Sequence, residues 1–259
     1  MRITKATTKR LLGVLAALAA LLAIGAGSAT AITGGQADGD VHPYVGMVVT
    51  FGGRDVSPHL CSGTLMSPTV FVTAGHCTVG QTGAKIWFGP GPFDPSNPSD
   101  PDATGTPVTP ADFAFPYRDL GVVRLDSPVV MSTYGVLPGQ DTLDSLQVQH
   151  GRQAPRFTTV GYGMQQSFSG AAAAKNVNGF TRMDVTPRLI QIDGGQAGDF
   201  GMLFSNDAHT GGACFGDSGG PSFVGDSNVV AGITSALAND RCTGTMLAFR
   251  LDRSWALDW

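Results

Sequence analysis

The chain predicts an all-β, turn-rich protein on three observations. All 20 acidic residues are Asp, and only Lys85 and Lys175 follow residue 31, so good helix formers are scarce. The 36 glycines and 16 prolines favour turns instead. Short β-prone runs recur between turn signals: Tyr44–Phe51, Ser62–Met66, Val70–Thr73, Lys85–Phe88, Leu120–Leu125, Phe157–Tyr162, Val229–Thr234 and Thr245–Leu251. Runs of this length and spacing point to a sandwich or barrel.

Taken in order, residues 1–31 carry Arg2, Lys5, Lys9 and Arg10, an apolar run from Leu11 to Ile24, and small residues ending Ala29-Thr-Ala31. This is the pattern of a secretory signal peptide, and the apolar run is too short to span a bilayer. The expected mature domain is 32–259, secreted and extracellular, with no membrane association after cleavage. Losing four positive charges takes the net charge from −4 to −8, which argues against nucleic acid or an anionic membrane as partner. A monomer without cofactor is expected.

Cys61, Cys77, Cys214 and Cys242 are an even set in an oxidising compartment and read as two disulfides. Three connectivities are possible, of which the local pairing Cys61–Cys77 and Cys214–Cys242 is the simplest. No Cys-x-x-Cys or paired-His spacing suggests a structural metal. Pro90–Pro110 reads as a long loop; its Asp94, Asp100 and Asp102 are candidate calcium ligands, against the commoner solvated loop. Ser169–Lys175 is a second expected loop, and Leu251–Trp259 a short terminal helix.

The chemistry points to Gly211–Ser222, where Ser218 stands among five glycines. Glycine at such density permits unusual dihedrals and close approach to a ligand. The N–H groups of Gly216 and Ser218 are placed to face one developing oxyanion. A serine nucleophile needs a base and a group to orient that base. His76 follows a β-prone run and precedes a cysteine that can pin its turn, whereas His42, His59, His150 and His209 read as surface residues. Asp119 opens an otherwise apolar strand and is the preferred orienting carboxylate over the nearby Asp112 and Asp126, whose ordinary role is turn capping.

The order His76, Asp119, Ser218 resembles the chymotrypsin/trypsin family of serine proteases, as a bacterial-type secreted member. The matching pieces are Ile32-Thr-Gly-Gly35, His42-Pro-Tyr44, Cys61-Ser-Gly-Thr-Leu65, Thr73-Ala-Gly-His-Cys77, Asp119-Leu-Gly-Val-Val-Arg-Leu125, Val160-Gly-Tyr-Gly163 and Gly216-Asp-Ser-Gly-Gly-Pro221. The resemblance implies two six-stranded antiparallel β-barrels with the active site in the cleft between them, and protein or peptide substrates. It implies Ser218 as nucleophile, His76 as proton shuttle, Asp119 as its holder, and Gly216 and Ser218 as oxyanion hole. It also implies the local disulfide pairing, while other bridges common in animal members are absent and the loop around Ala171 is unstapled.

The resemblance further places Gly212 at the floor of the primary specificity pocket, and Ser235, Ala236 and Leu237 along the substrate backbone. A cationic substrate side chain would find no carboxylate at Gly212, so a small or medium apolar preference is expected; Asp226 and Asp240 are the residues that would restore a basic one. Family members bury a new amine, at the Ile of Ile-x-Gly-Gly, against the Asp before the nucleophile, here Ile32 and Asp217. The alternative function is a catalytically silent homologue acting as a binding protein. Because the expected signal cleavage falls between Ala31 and Ile32, export itself would free that amine. N-terminal sequencing of the secreted protein is expected to begin at Ile32, and any other start refutes this route.

Overall fold

The computed structural model describes residues 32–53, 57–94, 100–146, 155–168, 172 and 177–259. Residues 1–31, His150 and most of the Ser169–Lys175 segment lie outside the described residues. Among the described residues no helix is long and apolar enough to cross a membrane.

After β1 (Gln36–Ala37), six strands close into an antiparallel barrel: β2 (Val45–Phe51), β3 (His59–Ser67), β4 (Val70–Thr73), β5 (Gly83–Trp87), β6 (Ala103–Val108) and β7 (Gly121–Leu125). The barrel order is β2-β3-β4-β7-β6-β5. The second half adds β8 (Phe157–Gly161), β9 (Met183–Val185), β10 (Leu189–Ile192), β11 (Gly201–Asn206), β12 (Pro221–Val224), β13 (Val230–Leu237) and β14 (Gly244–Arg250). With β1 these form one curled eight-stranded antiparallel sheet, ordered β1-β9-β8-β12-β13-β14-β11-β10. The expected all-β, two-part architecture is therefore present, with the second part a curled sheet and the terminal helix confined to Ser254–Leu257.

One expected loop is partly a strand. Within Pro90–Pro110, Ala103–Val108 alternates buried and exposed residues and pairs with both β5 and β7. Its small residues have a physical cause: a side chain on Gly105 would meet the Arg124 carbonyl at 2.5 Å. Its Gly and Pro obscure the alternation that otherwise marks a half-buried strand. The short β9 and β10 are also missing from the sequence reading, as is β11, which is buried along its whole length and carries no alternation.

One core fills the barrel and crosses to the second sheet, joining Val48, Phe71 and Ile86 to Tyr162, Phe223 and Phe249. A second, around Phe157, Met202, Phe204 and Met246, lies within the second sheet. Each such side chain contributes about 1.5–3 kcal/mol through burial. Near the C-terminus, buried Arg250 makes a two-point contact with Asp252 at 2.8 Å and reaches Asp193 and Asp144, tying β14 to the turn at Thr142–Leu146.

The seam between the halves is held by Arg182, fully buried just before β9. Its Nε donates to Asp38 Oδ2 at 2.8 Å, and its Nη1 donates to the carbonyls of Phe88 at 2.6 Å and Val45 at 3.2 Å in the barrel. The ring of His42 bonds the other Asp38 oxygen at 2.5 Å and stacks on Phe223 with centroids 5.0 Å apart. His42 is thus a core residue, not the surface residue expected, because Asp38 supplies the partner that lets an imidazole be buried. Burial pushes the Asp38 carboxyl up, but its bonds from His42 and Arg182 outweigh this and hold it below the usual carboxylate range. Replacing Arg182 by Ala leaves that buried carboxylate with His42 as its partner and takes the guanidinium donor from the Phe88 carbonyl. The expected loss is about 3–5 kcal/mol in urea unfolding, and a loss under 1 kcal/mol would contradict this account.

Candidate active site

His76 sits in a four-residue helix, Gly75–Thr78, that begins directly after β4. The turn is tight: a side chain on Gly75 would meet the Phe113 ring at 2.6 Å and the Leu120 carbonyl at 2.7 Å. Cys77 is disulfide-bonded to Cys61 of β3, and Thr50 Oγ1 donates to the Cys77 carbonyl at 2.6 Å. His59 Nδ1 donates to the His76 carbonyl at 3.2 Å, so it too belongs to this turn. The His76 backbone is therefore fixed from three sides.

The side chain is oriented by Asp119, which has no solvent exposure. Asp119 Oδ2 lies 2.8 Å from His76 Nδ1, and Oδ1 accepts the His76 backbone N–H at 2.8 Å. Ser235 of β13 donates its hydroxyl to Oδ2 at 2.6 Å. An acceptor-only carboxylate at Nδ1 selects the tautomer that carries its proton there, leaving Nε2 with a free lone pair. The edge of Phe115 meets the His76 ring at a centroid distance of 5.5 Å. The rival carboxylates are engaged elsewhere, Asp112 with Arg118 and Asp126 with Thr104.

Ser218 lies on the opposite side, in a turn between β11 and β12 that leans on the barrel. Gly219 has φ +79°, and a side chain there would meet Thr73 Oγ1 at 2.1 Å and the Ala74 nitrogen at 2.5 Å. Only glycine allows the serine turn to press against the histidine turn in this way. Ser62 clamps the same contact, its N–H donating to the Ser218 carbonyl at 2.8 Å and its hydroxyl to the Gly216 carbonyl at 2.9 Å. Among the described residues, the N–H groups of Gly216 and Ser218 meet no protein acceptor, whereas those of Asp217, Gly219 and Gly220 do. Ser218 and His76 line one open cleft of about 610 Å³, together with Phe115, Phe215, Ser235 and Leu237.

The remaining sequence-predicted positions fall as follows. Ser235, Ala236 and Leu237 border the cleft, as does exposed Asp240. Asp226 lies exposed in the β12–β13 hairpin. Gly212 is buried and is not on the cleft wall, and a side chain on it would meet Asn206 at 2.3 Å. Asp102 accepts the Phe88 N–H at 2.7 Å, an ordinary capping role. Cys61, His76 and Cys77 come close enough together to hold a metal ion, but both sulfurs are committed to the disulfide. Two residues escaped the sequence reading: Phe115 on the cleft wall, whose aromatic character carries no motif, and Asn206 against Gly212, in the unrecognised β11.

Ile32 is fully buried against Met183 and Val185. The next residue, Thr33, pairs with Gly212, its carbonyl accepting the Gly212 N–H at 3.0 Å. Asp217 is fully buried, its carboxylate accepting the N–H groups of Gly163 at 2.7 Å and Cys214 at 2.8 Å. Burial pushes its pKa up to about 7, against the two backbone bonds that favour the charged form.

The trypsin sequence profile matches residues 31–250. The chain belongs to the trypsin family. Among solved structures this trypsin-family chain resembles HL collagenase, with 17% identity, TM-score 0.67, and coverage of 85% of this chain and 94% of that one. It also resembles human heparin binding protein, with 18% identity, TM-score 0.62, and coverage of 88% and 96%. At these identities the likeness is one of fold. A search of the curated proteins found no match.

For protein retaining the residues before Ile32, the raised Asp217 pKa has a definite sign. The folded state keeps a proton that the unfolded chain releases, so this contribution is complete below about pH 4 and is lost as pH rises through about 7. Urea unfolding across that window is expected to show declining stability that Asp217→Asn flattens. An equal slope in both proteins would rule it out.

Proposed function

We propose that this trypsin-family chain is a secreted serine endopeptidase, with His76, Asp119 and Ser218 as its triad and residues 32–259 as its mature domain. The observation that carries the reading is the Asp119 carboxylate, sealed from solvent and bonded at once to both ends of His76 and to Ser235. A carboxylate buried solely for stability gains nothing from a half-exposed imidazole facing a cleft, whereas a base requires both features.

In this mechanism His76 Nε2 takes the Ser218 hydroxyl proton as Oγ attacks the scissile carbonyl. The oxyanion forms against the N–H groups of Gly216 and Ser218, each such donor being worth about 10²–10³ in rate. His76 passes its proton to the leaving amine, and water then hydrolyses the acyl-enzyme with His76 again as base. Asp119 stabilises the imidazolium throughout without taking its proton. The substrate side chain next to the cleaved bond is small or medium and apolar, since exposed Asp240 stands at the rim and no carboxylate stands at Gly212.

Signal cleavage at Ala31–Ile32 supplies the activating amine. Its charge meets Asp217, the one fully buried carboxylate among the described residues whose bonds come from backbone N–H groups alone. The reading as a silent binding protein draws on the heparin binding protein fold match. A net charge of −8 on the mature chain disfavours a polyanion of that kind, and all three triad positions retain reactive side chains.

Ser218→Ala is expected to lower amide hydrolysis about 10⁶-fold, and Asp119→Asn about 10⁴-fold. Both variants should stay folded by circular dichroism, with kcat measured on a peptide amide. Unchanged hydrolysis in Ser218→Ala, or none in protein beginning at Ile32, would sink the reading.

A further inference from the structure

Asn206, the last residue of β11, is only 1% exposed. Its Nδ2 donates to the Ala213 carbonyl at 2.8 Å, and its Oδ1 accepts the Thr33 hydroxyl at 3.1 Å. The Ala213 N–H is directed at Met246 Sδ, 3.1 Å away, so both backbone polar groups of Ala213 are engaged. A Cβ built on Gly212 would lie 2.3 Å from Asn206 Cγ and 2.4 Å from Oδ1. The volume beside Gly212 that glycine leaves free is therefore taken up by the Asn206 amide.

Asn206 also lines a cavity next to the disulfide. The cleft of about 610 Å³ is walled by Cys214 and Asp240. A second cavity of about 670 Å³ is walled by Asn206, Thr33, Arg241 and Cys242. The Cys214–Cys242 disulfide has one half in each wall, and Asn206 lies beside it through Ala213. The disulfide is thus the partition between the two linings, with the Asn206 amide in the second.

We propose that Asn206 is a specificity-determining residue that sets the depth of the pocket beside Ser218. Resting on the endopeptidase reading above, this assigns as substrates peptides with a short, uncharged side chain, such as Ala, Ser or Val, on the acyl side of the cleaved bond. A long aliphatic or aromatic side chain would have to displace an amide bonded at both ends. A Lys or Arg side chain would meet a neutral amide, and Asp240 at the solvated rim screens poorly buried charge. The Thr33 hydroxyl holds the amide from the segment that follows the expected cleavage point, so pocket depth is tied to the placement of the chain's own N-terminal strand.

The test is cleavage-site mapping of a mixed peptide library by mass spectrometry with secreted protein beginning at Ile32. The variants are Asn206→Gly, which removes the amide, Asn206→Leu, which keeps its bulk without its hydrogen bonds, and Ser218→Ala as background. Wild type is expected to prefer Ala, Ser and Val over Leu, Phe, Lys and Arg by at least about tenfold. Asn206→Gly should raise kcat/KM for Leu and Phe relative to Ala about tenfold, while Asn206→Leu keeps the wild-type order. Wild-type cleavage after Phe, Lys or Arg overturns the assignment and leaves the endopeptidase standing. So does a wild-type profile in Asn206→Gly. Wild type indistinguishable from Ser218→Ala removes both. Should Asn206→Gly fail to fold by circular dichroism, Asn206→Ser, which keeps a donor toward Ala213, is judged by the same profile.

Discussion

A guanidinium sealed between two β-structures fixes how they meet. Arg182 arises in the second half, yet two of its bonds end on barrel carbonyls at Val45 and Phe88. A buried ion pair is weak evidence of net stability, because desolvation offsets much of the attraction. Its bonds are directional, however, and an apolar seam alone tolerates sliding. Asp38, His42 and Tyr162 complete the set, Tyr162 donating to the Gly89 carbonyl at 2.7 Å, so the seam has a single hydrogen-bonded register. The spacing of His76 and Ser218 across the cleft inherits that register.

Around the cleft, absence of side chains does as much as their presence. Gly75 lets the histidine turn tuck under Phe113, and Gly219 lets the serine turn rest on Thr73 and Ala74. The two disulfides staple these same turns to neighbouring strands or loops instead of linking one half to the other. Local geometry at the site is thus fixed by steric closeness and covalent staples, and global geometry by the buried polar seam.

Much of this was legible in the chain. The histidine and serine segments are short, and each packs its requirements into consecutive residues, so Thr73-Ala-Gly-His-Cys77 and Gly216-Asp-Ser-Gly-Gly-Pro221 announce their turns. Asp119 was readable because a carboxylate opening an apolar strand needs a partner. Most of the longer strands were found, whereas the short β9 and β10 were missed, β6 was hidden by Gly105 and Pro107, and β11 by burial on both faces. His42 was misread because its partner Asp38 lies four residues away with no helix to bring them together. Asn206 and Phe115 matter through contacts made across the fold, and no local pattern records those.

The cleft also has a history written in chain order. His76 and Asp119 belong to the barrel, which is complete at Leu125, while the serine turn and the hydroxyl of Ser235 come a hundred residues later. The base and its carboxylate therefore come from one half of the chain, and the serine and the second hydroxyl on that carboxylate come from the other. A chain that stops short of the serine turn thus carries the imidazole and its orienting group without the wall that faces them.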